Sequence, residues 1–114
     1  MAIEYAAEDI IYVNLPKTPH INCELEPVNK LILSGTSCDV ILDFAIVDGI
    51  TSTGISSLLI MQNLLNMQGR QLILCNVAFL TKCEFTGTGL DKFFHFAKNK
   101  ESALKTLRHE PQTA

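Results

Sequence analysis

Residues 39–46 read DVILDFAI, and residues 71–75 read QLILC. Both are nearly continuous apolar runs of strand-forming residues, which is typical of central strands that are covered on both faces of a sheet. Residues 54–68 lie between them and have the length of a helix, with apolar residues at positions 58, 61, 64, 65 and 67. This succession predicts a right-handed βαβ unit and therefore a sheet that is at least partly parallel.

Further strands and helices are predicted before this unit. Residues 9–15 (DIIYVNL) favour a strand that ends at Pro16, and residues 3–6 are a candidate hairpin partner for it. Residues 27–33 predict a short helix with Pro27 in its first turn and a stop at Ser34-Gly35.

The elements predicted after the unit depend on two asparagines. Asn76 is a candidate N-cap for a helix over residues 77–85, which the turn at residues 86–89 ends. Residues 93–96 predict the last strand, and Asn99 is a candidate N-cap for a closing helix over residues 100–108. We expect residues 109–114 to form a frayed tail and residues 1–114 to form a single α/β domain.

Composition limits the class of protein. The 114 residues are 47% apolar with a formal charge of -3 and no run of Lys or Arg, which disfavours nucleic acid or an anionic membrane as partner. The four cysteines form no C-x-x-C pair, and the first residues lack the pattern of a secretory leader. No apolar run is long enough to span a bilayer. We therefore expect a soluble, cytoplasmic protein that binds another protein or a small ligand.

A cluster of five hydroxyl residues marks the start of the central helix: Thr51, Ser52, Thr53, Ser56 and Ser57. One interpretation is simple capping, in which a hydroxyl oxygen accepts a hydrogen bond from the first turn. The other is a phosphorylation site, because the N-terminus of a helix tolerates added negative charge. Phosphate there would switch binding off by repulsion and leave the fold intact.

The faces of the central helix suggest where a partner binds. Stepping 100° per residue, we assign an apolar arc to Leu58, Ile60, Met61, Leu64, Leu65 and Met67. Ile55 and Leu59 then fall on the polar side with Gln62, next to the hydroxyl cluster. This pattern indicates a partner-binding face with an apolar centre, although single exposed aliphatic residues are also common without any function.

Enzymatic chemistry finds little support in the sequence. Cys75, with His95 as a possible base, is a candidate nucleophile, for which the alternative is a buried core thiol. The His, Cys and Asp spacings fit no zinc site, and no phosphate-binding loop or carboxylate pair is recognisable. We expect no catalytic residue, cofactor or metal.

Four motifs resemble the STAS domain, the fold of bacterial anti-sigma-factor antagonists. They are residues 40–44 (VILDF), 50–55 (ITSTGI), Gly69 followed by 72–75 (LILC), and 88–94 (TGLDKFF). The resemblance covers residues 40–107 in order and spacing. It implies a mixed sheet of four or five strands, with about four helices packed mainly on one side.

The resemblance also implies function. In that family a pair of hydroxyl residues precedes the glycine, and the second of the pair is phosphorylated by an anti-sigma factor that is a serine kinase. This position matches Thr53. Ser52 matches the first of the pair and is the less favoured site. The implied partner-binding surface is the hydroxyl loop and the following helix, which we assign to Thr51, Ser52, Thr53, Gly54, Ile55, Ser56, Leu59 and Gln62.

An alternative is a STAS scaffold or ligand-sensing module in a larger signalling complex that is never phosphorylated. Thr51 favours it, because the family carries an acidic residue at that position.

Overall fold

A computed structural model describes residues 2–15, 21–34 and 38–109. Strands and helices in this part of the chain follow the order β1 (Ala2–Ala7), β2 (Ile10–Asn14), α1 (Ile21–Leu33), β3 (Asp39–Asp43), α2 (Ser52–Met67), β4 (Leu72–Cys75), α3 (Phe79–Gly87), β5 (His95–Ala97) and α4 (Lys100–His109). A 3₁₀ turn, Asp91–Phe93, precedes β5.

The strands form one mixed sheet in the order β1-β2-β3-β4-β5. β1 and β2 are an antiparallel hairpin with an irregularity between Tyr5 and Ala7. The pairs β2-β3, β3-β4 and β4-β5 are parallel. The predicted hairpin, the parallel pairing of β3 with β4 and the α/β class are therefore confirmed.

Each face of the sheet has its own apolar core. On one face, α1, α2 and Phe85 of α3 pack on alternate residues of the strands, such as Val40 and Leu42. On the other face, Ala103 and Leu107 of α4 cover Ile41 and Ile73. Because β3 and β4 contribute to both cores, their residues are apolar in succession, as the sequence indicated. The prediction of helices mainly on one side is confirmed.

Several predicted boundaries were wrong. α1 begins at Ile21 instead of residue 27, so Pro27 lies inside the helix. Burial of Val28 and Ile32 offsets the backbone hydrogen bond that this proline removes. β3 ends at Asp43 and not at residue 46, because the carboxylate of Asp43 binds the N–H of Ala45 and turns the chain.

The region after β4 differs most from the prediction. Asn76 does not cap a helix: its φ is 56°, α3 begins only at Phe79, and Ala78 is the N-cap residue. The last strand is His95–Ala97, because residues 91–93 form the 3₁₀ turn. Asn99 does cap α4, since its Oδ1 accepts a hydrogen bond from the N–H of Ser102 at 2.9 Å. Residues 110–114 of the predicted tail lie outside the described residues.

Within residues 2–15, 21–34 and 38–109, no helix has the length and apolar character that a membrane span requires.

Candidate functional site

The hydroxyl cluster lies at the carboxyl edge of the sheet, where a loop of residues 44–51 joins β3 to α2. Phe44, Val47 and Ile50 of this loop are buried in the core beneath α2. The loop is therefore fixed at three points along its length. It presents the start of α2 to solvent from a rigid base.

The hydrogen bonds of the five hydroxyls distinguish three groups. Thr51 is the N-cap of α2, and its Oγ1 accepts from the N–H of Gly54 at 3.1 Å. Ser56 Oγ donates to the carbonyl of Ser52 at 3.0 Å, and Ser57 Oγ donates to the carbonyl of Thr53 at 3.2 Å. The capping interpretation thus accounts for Thr51, and bonds to the preceding turn account for Ser56 and Ser57.

Ser52 and Thr53 are the two hydroxyls with no structural role. Both side chains are exposed in the first turn of α2. Within the described part of the chain, neither hydroxyl takes part in a hydrogen bond. Thr53 therefore has an accessible hydroxyl at the positive end of a helix of 16 residues.

The predicted exposure of Ile55 was wrong. Ile55 is 3% exposed and belongs to the core with Leu58, Met61 and Leu65, and Gly54 is also buried. The predicted inner arc was right for Leu58, Met61 and Leu65 but left out Ile55, because apolar residues occur on every side of α2.

The apolar residues that α2 exposes are Ile60 and Met67, at 56% and 83%, so their predicted place on the inner arc was wrong. Together with polar neighbours they form one exposed line at helical spacing, which we name the α2 stripe: Thr53, Ser56, Ile60, Asn63 and Met67. Leu59 and Gln62 are half-buried beside it, and Thr51 and Ser52 are exposed at its start. The stripe combines the candidate phosphate acceptor with an apolar centre on one surface.

A buried carboxylate anchors the loop that carries the site. Asp43 is 6% exposed and accepts hydrogen bonds from Ala45 N at 2.8 Å, from Asn76 Nδ2 at 3.1 Å and from the Tyr12 hydroxyl. Burial, followed by the bond to Asp43, raises the pKa of the Tyr12 hydroxyl above its ordinary value of 10.0. Both carboxylate oxygens of Asp43 therefore accept hydrogen bonds, and the buried side chain holds the loop in position.

A second carboxylate reaches the loop from α3. Glu84 Oε1 accepts a hydrogen bond from the N–H of Ile50 at 3.3 Å, one residue before the N-cap Thr51. The residues are 34 apart in sequence, so no local pattern signals this contact. The resemblance described above implies an acidic residue at the position of Thr51, and Glu84 brings a carboxylate to the residue before it.

The structure argues against Cys75 as a nucleophile. Its thiol is buried, and burial, followed by the charge of Asp43, raises its pKa from 9.0 to about 12. Nucleophilic cysteines require a lowered pKa. His95 is exposed at the start of β5. Among the described residues, no group of three or more His, Cys, Asp or Glu side chains could hold a metal ion.

Comparison with known proteins gives one family match. The model of the STAS domain family matches residues 18–103. No curated protein sequence matches the chain significantly.

Solved structures share the fold at low sequence identity. The anti-sigma factor antagonist SpoIIAA in its unphosphorylated form has a TM-score of 0.78 at 20% identity, over 94% of this chain and 95% of that one. The Bacillus cell fate determinant SpoIIAA in the phosphorylated form gives 0.72 at 18%, over 92% and 96%. A variant of RsbS from Moorella thermoacetica gives 0.80 at 14%, over 97% of both chains.

Proposed function

This chain belongs to the STAS domain family, and we propose that it is a regulatory module that docks on an anti-sigma factor with serine kinase activity and is released by phosphorylation of Thr53. A regulatory role follows from the family and its fold. The partner, the phosphorylated residue and the contact surface are the new parts of the proposal.

The observation that carries the proposal is the position of the Thr53 hydroxyl. It is exposed in the first turn of α2, next to N–H groups at the positive end of the helix, and Thr51 already provides the cap. A phosphoryl group at this position is electrostatically favoured and breaks no hydrogen bond of the fold. A modified chain would therefore stay folded.

The relatives support a switch of this kind. SpoIIAA was solved in an unphosphorylated and in a phosphorylated form, and this chain superposes on both. A fold that is kept in both forms fits a mechanism that acts on the surface and not on stability.

The α2 stripe supplies the docking surface in this proposal. Ile60 and Met67 provide apolar contact area, and Thr53 lies at one end of the same line. Phosphorylation adds a charge of about -1.5 to -2 at that end. A partner that covers the stripe would have to desolvate this charge, so phosphorylation weakens the complex.

A second candidate function, a STAS scaffold that is never phosphorylated, is favoured by Thr51. Its side chain caps α2 and carries no charge, where the family pattern has an acidic residue. The two functions differ in one observable, the appearance of phosphate on Thr53.

The test combines phosphorylation with binding. The purified chain is incubated with candidate anti-sigma kinases and Mg-ATP, and the phosphorylated residue is mapped by mass spectrometry. We expect one phosphate at Thr53, its loss in Thr53→Ala, and its retention in Thr53→Ser and in the neighbouring control Ser52→Ala. Phosphate on a residue outside the hydroxyl cluster overturns the switch, and no phosphate with any kinase that binds the chain supports the scaffold.

The docking surface is tested with the same kinases by calorimetry. We expect Ile60→Asp and Thr53→Glu to weaken binding at least about tenfold, because each places a charge within the buried contact. Thr106→Asp is the matched control, since Thr106 is exposed on α4 at the opposite face of the sheet. Binding that survives both α2 variants contradicts the proposed surface.

A further inference from the structure

The helices that follow the neighbouring parallel strands β4 and β5 pack on opposite faces of the sheet. After β4 the chain crosses to α3, whose Phe85 packs in the same core as α1 and α2. After β5 it crosses to α4, which packs on the other face. Because β4 and β5 are adjacent and parallel, their carboxyl ends form a crevice from which the two connections diverge. Ligands of open α/β sheets bind outside the carboxyl ends of the strands.

A pocket occupies this crevice. It has a volume of about 360 Å³ and is lined by Val77 after β4, Lys82 of α3, and Phe96, Ala97 and Lys98 at the end of β5. This volume is within the range of small-molecule sites, although at its lower end. Val77, Phe96 and Ala97 supply the apolar part of the wall; they are half-buried and pack against the two cores, whereas Lys82 and Lys98 are exposed at its rim.

The charges of the pocket are both positive. Lys82 Nζ lies 5.0 Å from the centroid of the Phe96 ring, which holds the ammonium group at the pocket wall. Within the described part of the chain, no carboxylate forms an ion pair with Lys82 or Lys98. The chain as a whole has a net charge of -3, but the charges at this pocket are two ammonium groups. Together with the apolar side chains beside them, they are complementary to an anion with an apolar body.

We propose that this pocket binds a small molecule with one carboxylate or phosphate group on an apolar body, the anion between Lys82 and Lys98 and the body against Val77 and Phe96. The proposal does not rest on Thr53, which lies after β3. The chain would then have a ligand site separate from its phosphorylation site.

The test is an NMR titration of the full chain, labelled with ¹⁵N, with three probes. Phenyl phosphate and benzoate represent the two anion sources, and benzamide is a neutral probe of matched shape. We expect saturable shifts of the amides of residues 77, 82 and 96–98 with at least one anion, and at least about tenfold weaker binding of benzamide. The anion that binds more tightly indicates whether the ligand carries a phosphate or a carboxylate group.

Variants assign the binding to the lysines. Lys82→Met and Lys98→Met should each weaken binding of that anion about tenfold, because each keeps the aliphatic stem and removes one charge. Lys92→Met is the matched control, because Lys92 lies before the amino end of β5 and the pocket lies at its carboxyl end. This variant should leave the affinity within about twofold. The proposal is overturned if benzamide binds as tightly as the anions or if neither anion gives saturable shifts. It is also overturned if the shifts occur at other residues, or if Lys92→Met weakens binding as much as the two pocket variants do.

Discussion

Asn76 Nδ2 donates a hydrogen bond to Asp43 Oδ2 at 3.1 Å, and Asn76 has a backbone φ of 56°. Asparagine is one of the few residues other than glycine that adopt this left-handed conformation readily. The bond joins the end of β3 to the turn after β4. Asp43 therefore anchors two segments, the loop of residues 44–51 that carries the hydroxyl cluster and the turn that begins the connection to α3.

The first prediction concerns this anchor. Asp43→Ala leaves the Tyr12 hydroxyl, the Asn76 amide and the Ala45 N–H without their buried acceptor. We expect a loss of about 3 kcal/mol in the free energy of unfolding, measured by urea denaturation. Asp48→Ala, at an exposed carboxylate of the same loop, is the control and should change it by less than about 0.5 kcal/mol. Equal effects of the two variants would refute the anchoring role.

The second prediction concerns alkaline pH. The pKa of Cys75 is 9.0 when the thiol is unperturbed and about 12 in the folded chain, so above pH 9 the unfolded chain releases a proton that the folded chain retains. The free energy of unfolding should therefore be independent of this group below pH 9 and fall as pH rises from 9 towards 12. The buried Cys38 and Tyr12, whose pKa values are also raised, act in the same direction.

Urea denaturation at a series of pH values measures this dependence. Cys75→Ala should make the decline above pH 9 shallower, because one of the contributing groups is gone. Cys83→Ala, at an exposed thiol, should reproduce the decline of the unaltered chain. A decline that is equally steep in Cys75→Ala would show that this thiol ionises freely in the folded state.

Prediction from the sequence was most accurate for the strands that are buried on both faces, because their residues are apolar in succession. The apolar runs at β3 and β4 predicted the parallel pair, because a strand between two cores has no polar face. Asn76 shows where such reasoning ends. Asparagine is common both at helix caps and in left-handed turns. Here the hydrogen bond to Asp43, 33 residues away in the chain, stabilises the left-handed turn.

The candidate site shows the same division between local and distant determinants. The hydroxyl cluster was placed correctly at the start of α2, because capping residues have a local signature. The buried face of α2 was predicted only in part: Leu58, Met61 and Leu65 were assigned to it correctly. Ile55 and Ile60 were assigned to the wrong faces, since they are equally apolar and only packing against the sheet distinguishes them. The contact of Glu84 with the loop has no local signal at all.

The third prediction separates capping from switching in the hydroxyl cluster. Thr51→Ala removes the acceptor for the N–H of Gly54 and should lower the free energy of unfolding by about 1 kcal/mol, measured by urea denaturation. Thr51→Asp keeps an acceptor at the same place and should retain the stability. Thr53→Ala, the control, removes a hydroxyl with no bond in the described chain and should cost less than about 0.5 kcal/mol. A larger cost for Thr53→Ala than for Thr51→Ala would contradict the assignment of the cap.

The fourth prediction concerns the two isoleucines of α2. Ile55→Ala removes a side chain that is 3% exposed and leaves a cavity under the helix, so the free energy of unfolding should fall by about 3 kcal/mol. Ile60→Ala truncates a side chain that is 56% exposed and should cost less than about 1 kcal/mol. The substitutions are chemically identical and lie in the same helix, so helix propensity changes equally in both. Any difference between the two denaturation curves therefore measures burial, and equal costs would place both residues on the same face and remove Ile60 from the proposed docking surface.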